Sequence, residues 1–354
     1  MAVTGVFVDI EKKLKGFELR IRMETKREAL GILGASGSGK SMTLRCIAGI
    51  EKPDRGKIII NGRTVFDSEK KINVKPQERR VGYLFQNYAL FPTMTTWQNI
   101  ACGYHGKKDN LANAVDGCIR RFRLEGLENR YPSQLSGGQQ QRAALARMMI
   151  GEPGIILMDE PFSALDGHLK DLMQREMQNY LKDYSGELIL VTHSRDEAYK
   201  FCRQLALFED GQVLACGPTR EIFENPGFVN AARLTGCKNF SEIEKMGDHL
   251  VYAKDWGIEL YTQKCVGDEI THIGIRGHWL KPAGQKGRNR LAVEPEEYIE
   301  TTFEHQYVMK AKNMENGMPL WWMRPKGSFE DDPGEGIPPF LYFPEQHIML
   351  LKDG

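Results

Sequence analysis

A glycine-rich octapeptide ending in lysine and serine, GASGSGKS, occupies Gly34–Ser41. Its spacing is G-x-x-x-x-G-K-S, and it stands between an apolar run and a predicted helix. Glycines let backbone N–H groups curl around phosphate oxygens, and the N-terminus of the following helix adds positive potential. The Lys40 ammonium can reach the β- and γ-phosphates, and the Ser41 hydroxyl can bind Mg²⁺. The predicted phosphate-binding residues are Gly34, Ala35, Ser36, Gly37, Ser38, Gly39, Lys40, Ser41 and Met42.

A pair of carboxylates ends a second apolar run, IILMDEP. Asp159 stands where a buried strand is predicted to end, and from there a carboxylate can hold Mg²⁺ through water. Glu160 follows and can orient or deprotonate an attacking water. The alternative is an ordinary acidic pair at a strand end, and the glycine loop elsewhere in the chain argues against it. Together the two features predict a site for a nucleoside triphosphate and Mg²⁺.

Two adjacent glycines open a strongly helical segment, LSGGQQQRAALAR, at Gly137 and Gly138. Ser136 is a favourable N-cap and Gln139 completes a capping box with it. Capping does not explain the glycines, since each costs about 1 kcal/mol relative to Ala inside a helix. Bare backbone lets a ligand approach the exposed N–H groups and the positive end of the helix dipole. We therefore predict a second phosphate-binding helix start, which in a head-to-tail pair of chains meets the nucleotide held by the other copy.

The motifs GASGSGKS, LSGGQQQR, IILMDEP, SALD and VTH, in this order, resemble the nucleotide-binding subunit of ABC transporters over roughly Val8 to Asn230. The resemblance implies that the nucleotide is ATP and that two chains sandwich two ATP molecules with Mg²⁺. It also implies an ATPase whose hydrolysis is coupled to transport across a membrane. The family stacks an aromatic on adenine, and Phe17 is the aromatic that stands at a matching position. Phe17 is equally well explained as a core residue.

The same resemblance gives roles to three further residues. Gln86 matches the family's Q-loop, which contacts Mg²⁺ or the attacking water, although a glutamine in an ordinary loop is the alternative. His193 matches the switch histidine that contacts the γ-phosphate, although a lone histidine after a strand is often structural. Asp166 matches the loop that crosses the dimer, and it also suits a helix N-cap. Ser194 stands where the family often has aspartate.

The elements that must position these residues follow from hydrophobic patterning. Strands alternate with helices, which predicts an α/β fold with a P-loop NTPase core of the ABC type over residues 1–235. A helical subdomain is expected at roughly 88–153, where the pattern is mostly helical. From 236 to 354 short β-like runs are separated by Gly, Pro and charge. They predict a β-rich accessory domain that resembles an oligonucleotide-fold-like repeat.

Length, charge and cysteine usage limit the classes of function. The chain has 354 residues, a formal net charge of +1 and seven cysteines with no C-x-x-C spacing. Near-neutral charge argues against nucleic acid as a partner. The cysteines are expected to be reduced thiols in a cytoplasm rather than disulfides or zinc ligands. Neither a bilayer-spanning apolar run nor a signal peptide is apparent.

An ATPase of this type without a membrane span of its own needs partners. We expect a homodimer of ATPase subunits on the cytoplasmic face of the membrane, bound to permease subunits and served by a solute-binding protein. The segment NYALFPTMTTWQNI is apolar enough either to dock the permease or to pack inside the helical subdomain. A soluble ABC ATPase that acts on ribosomes or DNA, and a nucleotide kinase or GTPase, are the competing classes.

The transported solute is the least determined property. The segment GRTVFDSEKKINVKPQERRVGYLFQ and the THS sequence at the switch resemble molybdate-type ATPases, so molybdate or a related oxyanion is expected. A sugar or another solute is the alternative. In the C-terminal part, a regulatory oxyanion site and a purely structural surface are both open for a set of polar residues. That set is Arg276, Lys281, Arg288 and Asn289.

Overall fold

The computed structural model describes residues 5–25, 28–163, 165, 167–182, 184–312, 314, 317–327 and 337–353, with the side chains of residues 168 and 169 left out. The chain divides into two compact units, Met1–Thr219 and Arg220–Gly354. All seven cysteines are free thiols, as expected. No helix among the described residues combines the length and the apolarity needed to span a bilayer.

The first unit alternates strands and helices. Its strands are β1 (Val6–Leu14), β2 (Phe17–Glu24), β3 (Leu30–Gly34), β4 (Arg55–Ile60), β5 (Arg63–Asp67), β6 (Ile72–Asn73), β7 (Val81–Leu84), β8 (Ile155–Asp159), β9 (Glu187–Thr192), β10 (Gln204–Glu209) and β11 (Gln212–Pro218). Its helices are α1 (Lys40–Ala48), α2 (Thr96–Ala101), α3 (Leu111–Arg121), α4 (Gly137–Met149), α5 (Gly167–Leu181) and α6 (Arg195–Phe201).

A six-stranded sheet forms the centre of the first unit, in the order β11-β10-β3-β9-β8-β7. Its five strands from β10 to β7 run parallel, and β11 pairs antiparallel at the edge. Every residue of β3, β8 and β9 is buried, because hydrophobic side chains cover both faces of the sheet. The carboxyl ends of these parallel strands therefore meet at one edge, where loops carry side chains to a common site.

Alternate residues of β8 point to opposite faces of this sheet, as the two-residue period of a strand requires. Ile155 and Leu157 join a hydrophobic cluster with α1 and the strands β1, β2 and β4. Ile156 and Met158 join another cluster, which contains side chains of α3, α4 and α5. Thus α1 lies on one face of the sheet and the helical segment on the other. A second sheet of the unit is antiparallel, in the order β2-β1-β4-β5-β6.

The second unit is mostly β-structure. It contains α7 (Thr219–Glu224), α8 (Val229–Leu234), β12 (Asn239–Gly247), β13 (Leu250–Ala253), β14 (Ile258–Tyr261), β15 (His272–Ile275), β16 (Lys281–Ala283), β17 (Arg290–Glu300), β18 (Glu304–Ala311), β19 (Leu320–Pro325), β20 (Phe340–Tyr342) and β21 (Met349–Leu351). Two five-stranded sheets result, in the orders β14-β13-β12-β15-β21 and β16-β20-β17-β18-β19. Trp256, Tyr307, Trp322 and Phe343 are fully buried among their side chains.

The two units divide at Thr219, whereas the sequence prediction places the boundary at residue 235. In α8, Val229 and Ala232 pack with Cys237 and the β21 residues Met349 and Leu351. These contacts join α8 to the β-rich part of the chain. Periodicity alone shows that a segment is helical, and it does not show which sheet the helix packs on.

Two residues of the possible oxyanion set in this unit have structural partners. The Arg276 guanidinium donates to the carbonyl oxygens of Thr235 and Phe223, at 2.5 and 2.6 Å. The buried Asn289 amide bonds the backbone of Tyr261 and the carbonyl oxygen of Phe343. These donors bond backbone groups of the same unit, and Asn289 is 2% exposed, so Asn289 is a buried structural residue rather than the expected surface residue.

Candidate nucleotide-binding site

The glycine loop connects the carboxyl end of β3 to the first turn of α1. Gly37 and Gly39 have φ of 82° and 96°, in the left-handed region that favours glycine. A Cβ on Gly39 would also lie 2.4 Å from Leu19 Cδ1, so any other residue would strain the backbone and displace the Leu19 side chain. Gly39 is the N-cap of α1 without a side-chain cap, which leaves the first N–H groups of the helix for a ligand.

The Lys40 ammonium lies inside this loop. Its Nζ donates to the carbonyl oxygens of Gly34 and Ala35, at 2.9 and 2.7 Å, and the residue is only 5% exposed. Burial lowers the pKa of Lys40, while Glu160 and Asp159 act in the opposite direction. The side chain is therefore a desolvated cation held at the centre of the loop, as the binding of terminal phosphates requires.

A carboxylate and a hydroxyl meet beside the loop. Ser41 Oγ donates to Asp159 Oδ1 at 2.7 Å, which joins the start of α1 to the end of β8. Hydroxyl and carboxylate oxygens are the donor types that Mg²⁺ prefers. In addition, Ser38 Oγ in the loop is buried and has no hydrogen-bond partner among the described residues. The residues present therefore fit Mg²⁺ bound with phosphate, and the metal-binding roles of Ser41 and Asp159 stay predictions.

Tyr83 is a member of the site that the sequence analysis missed. It lies on β7, next to β8 in the sheet, and its hydroxyl donates to Asp159 Oδ2 at 2.9 Å. Burial raises the pKa of Tyr83 well above its usual value, and Asp159 raises it further. A tyrosine within an apolar strand carries no motif signal. Only the pairing of β7 with β8 would have identified it, and the sequence does not reveal the strand order.

Three predicted catalytic residues follow the neighbouring strands β7, β8 and β9. His193 Nδ1 lies 3.2 Å from Glu160 Oε2. Gln86 Nε2 donates to Ser163 Oγ at 3.1 Å, and Ser163 Oγ donates to the Glu160 carbonyl oxygen at 2.9 Å. Glu160 has φ of 46°, a left-handed conformation that a non-glycine residue rarely adopts, and its N–H donates to the Val191 carbonyl oxygen. A strained, anchored backbone thus directs the Glu160 side chain towards His193.

A second group of residues missed by the sequence analysis supports the His193 loop. Thr192 Oγ1 donates to the buried carboxylate of Glu197, and Ser194 N–H donates to Thr192 Oγ1 at 2.9 Å. Lys170 Nζ on α5 lies 2.6 Å from the other oxygen of Glu197. This network ties the segment that carries His193 to the first turn of α5. Ser194 acts here as the N-cap of α6, a role compatible with either serine or aspartate.

The capping box predicted at the start of α4 is present. Ser136 N–H donates to Gln139 Oε1 at 2.9 Å, and Gln139 N–H donates to Ser136 Oγ at 3.4 Å. A Cβ on Gly137 would meet only Leu165 Cδ2, at 3.9 Å, and its φ is not positive. Neither packing nor backbone geometry within the described part of this chain accounts for glycine at this position. Gly138, next to it, is buried.

Phe17 and Asp166 are the remaining residues predicted for the site. Phe17 is partly buried at the edge of the cluster around α1, where its Cζ would lie 3.2 Å from a Cβ on Gly39. It therefore lies beside the glycine loop, a place compatible with both a core role and contact with a base. Asp166 lies outside the residues that the structure describes.

Comparisons with known proteins agree with this geometry. A family model described as ABC transporter matches residues 16–163. The sulfate/thiosulfate import ATP-binding protein CysA of Chlorella vulgaris, itself named as probable, is 37% identical over 236 residues, which are 65% of this chain and 98% of the relative. The spermidine/putrescine import ATP-binding protein PotA of Oleidesulfovibrio alaskensis is 38% identical over 64% of this chain. The solved dimer of an ATP-binding cassette with ADP and Pi is 28% identical, with a TM-score of 0.51, over 61% of this chain and 99% of that one.

The chain belongs to the ABC transporter ATP-binding family. It is an ABC-type P-loop ATPase by fold, with a β-rich C-terminal region, and ATP and Mg²⁺ are the cofactors of this ATPase family. The predicted fold class and cofactors are thus confirmed. The chain spans about 60% of the length of the polyamine-import relatives that it matches.

Proposed function

We propose that this chain is the ATP-hydrolysing motor subunit of an ABC-type membrane importer. The observation that carries the proposal is the meeting of Glu160 and His193 beside the Ser41–Asp159 pair. It supports a role for Glu160 as general base, next to a site suited to the terminal phosphate and Mg²⁺. Membership of the import ATP-binding family supports the coupling to transport.

Each side chain has a defined task in the proposed reaction. Lys40 and the loop N–H groups bind the β- and γ-phosphates, and Ser41 and Asp159 would hold Mg²⁺, which when bound neutralises charge on the phosphates. Glu160 takes a proton from water as the water oxygen bonds to the γ-phosphorus. The bond from that phosphorus to the β–γ bridging oxygen then breaks, and ADP and phosphate leave. His193 and Gln86 orient Glu160 and the water.

We propose that the catalytic unit is a homodimer. Neither packing nor backbone conformation in the described part of the chain requires glycine at Gly137, and Ser136 and Gln139 flank it at the helix start. A phosphate held by a second copy would explain this glycine, because exposed N–H groups at a helix N-terminus bind anions. The solved relative described above is also dimeric.

The remaining partners are permease subunits and a solute-binding protein, at the cytoplasmic face of the membrane. Phe91, which is 47% exposed, is the best candidate for the permease contact. Tyr88, in the same segment, is buried and belongs to the core of the first unit. The apolar segment thus divides between packing and surface. We assign no nucleic-acid partner, because the formal net charge is +1.

For the solute, we propose molybdate or a related oxyanion, on the sequence resemblance described above. The two import relatives are named for different solutes, sulfate or thiosulfate and polyamines. A sugar or another solute is the alternative. Deleting the gene in its native host and measuring uptake of labelled molybdate, sulfate and putrescine separates these possibilities, and the expected result is loss of an oxyanion only.

Affinity purification of the tagged chain from detergent-solubilised native membranes tests the motor function. We expect a polytopic membrane protein to co-purify, and Phe91→Asp to remove it without lowering the melting temperature. Phe303→Asp is the matched control, because Phe303 is 79% exposed in the second unit. Recovery of ribosomes or DNA in place of a membrane protein would support the soluble ATPase class and overturn the proposal.

A further inference from the structure

We propose that Tyr83 is a positioning residue for the Mg²⁺ site: its hydroxyl fixes the Asp159 carboxylate and thereby sets how strongly Mg²⁺ increases the affinity for ATP. Tyr83 lies on β7 and belongs to none of the motifs of the site. The inference rests on the proposed function and deepens it, since it concerns the same phosphate and metal site.

The geometry is a line of three side chains joined by hydrogen bonds. Ser41 Oγ donates to Asp159 Oδ1 at 2.7 Å, and the Tyr83 hydroxyl donates to Oδ2 at 2.9 Å. The line runs from α1 to β8 and on to β7, so three separate elements meet at the Asp159 carboxylate.

Both oxygens of Asp159 are thus held, each by a different element. Asp159 is 7% exposed, so water does not supply replacement donors freely. Without the Tyr83 hydroxyl, Oδ2 would lose its donor and the carboxylate would be free to rotate about its last bond. The oxygen beside Ser41 would then no longer be fixed towards the place where Mg²⁺ would bind. Outer-shell partners of this kind typically contribute about 10–100-fold to metal affinity.

The Tyr83 hydroxyl can be removed without disturbing the packing of the Tyr83 aromatic ring. The Tyr83 ring lies against the hydrophobic cluster around α1, with its centroid 4.3 Å from that of Phe85. Phenylalanine fills the same space, so Tyr83→Phe deletes one oxygen and leaves the apolar contacts in place. A purely structural role for the hydroxyl would therefore appear as lost stability with an unchanged response to Mg²⁺.

The test measures ATP affinity of the full-length chain by isothermal titration calorimetry, in EDTA and over a series of Mg²⁺ concentrations. For Tyr83→Phe we expect the half-saturating Mg²⁺ concentration to rise about 10-fold or more. ATP affinity in EDTA should stay within about twofold of the wild type, because the Lys40 loop is untouched. The expected change is thus confined to the Mg²⁺-dependent part of binding, which needs no turnover to be measured.

Tyr184→Phe is the matched control. Its hydroxyl donates to the Pro153 carbonyl oxygen at 3.1 Å, in the same unit but away from Asp159. This variant should respond to Mg²⁺ as the wild type does. Equal Mg²⁺ responses of wild type and Tyr83→Phe, or an equal loss of affinity with and without Mg²⁺, would overturn the role of Tyr83 alone. If the ATP affinity of the wild type did not depend on Mg²⁺, the proposed Mg²⁺ site would be wrong, and the role of Tyr83 would be wrong with it.

Discussion

His193 Nδ1 lies 3.2 Å from Glu160 Oε2, and the two residues directly follow the neighbouring parallel strands β9 and β8. The pairing register brings Asp159 opposite Val191, so the next residues along both strands emerge at the same edge of the sheet. The two residues are 33 positions apart in the sequence, and the pairing of β8 with β9 brings them together. The contact joins a candidate general base to a group that can orient it.

The first prediction concerns Glu160 as the general base. Glu160→Gln keeps the size of the side chain and removes its ability to accept a proton, so we expect ATP hydrolysis to fall by about 10²–10⁴-fold. ATP binding should be retained, since the Lys40 loop is unchanged. Steady-state phosphate release and light scattering with Mg²⁺-ATP measure the two effects, and a stable dimer should accumulate. Hydrolysis at the wild-type rate would show that another group accepts the proton.

A second prediction separates His193 from Glu160. His193→Ala removes the neighbour that orients Glu160 but leaves the base in place. We therefore expect kcat to fall by at least about tenfold, less than in Glu160→Gln, with little change in ATP affinity. His272→Ala, in the second unit, should leave both values unchanged. Greater loss in His193→Ala than in Glu160→Gln would mean that His193 itself carries the larger catalytic role.

Local motifs made much of the site predictable from sequence. The glycine loop, the Asp159–Glu160 pair and the capping box at Ser136 depend on short-range spacing, and each has the expected local geometry. The alternating pattern also predicted the parallel sheet. These features are local because backbone conformation and helix capping involve residues only a few positions apart.

Long-range partners were beyond the reach of the sequence. Tyr83 and Asp159 are joined by strand order, and Lys170 and Glu197 by the packing of α5 beside α6. Leu172 illustrates the limit of helical periodicity: in HLKDLMQREMQNYL the spacing predicts that it shares the apolar face of α5 with Met173, yet it is 46% exposed. Several side chains share such a face, and tertiary packing decides which of them are covered.

A third prediction concerns the far end of α1. Arg79 is 3% exposed, and its guanidinium donates to the carbonyl oxygens of Cys46 and Ile47 at 2.9 and 2.8 Å. Both carbonyl groups belong to the last turn of α1, where the Gly49 N–H also donates to the Cys46 oxygen at 3.2 Å. Arg79→Met therefore removes the donor to the buried Ile47 oxygen and one of two donors to Cys46, so we expect a loss of about 1–3 kcal/mol in the free energy of unfolding.

Urea denaturation followed by circular dichroism measures the effect of this change. Arg80→Met is the control, because the same substitution one residue later alters an exposed side chain and should stay within about 0.5 kcal/mol. If both variants were equally stable, the hydrogen bonds of Arg79 would contribute nothing net. ATP with Mg²⁺ should partly restore the stability of Arg79→Met, since the ligand binds at the other end of the same helix.

The last prediction is a pH dependence in the second unit. The His347 ring stacks on Trp279 with a centroid separation of 3.7 Å, and burial lowers its pKa below the usual 6.5, with a further contribution from Lys281. Below pH 6.5 the unfolded chain therefore protonates His347 more readily than the folded chain does. The stability that the neutral ring contributes is fully present above pH 6.5 and is lost as the pH falls through the lowered pKa. His347→Gln should be less sensitive to acid than the wild type. Proton NMR titration of His347 should show its pKa rising in Lys281→Met, and an unchanged pKa would exclude the lysine as a cause.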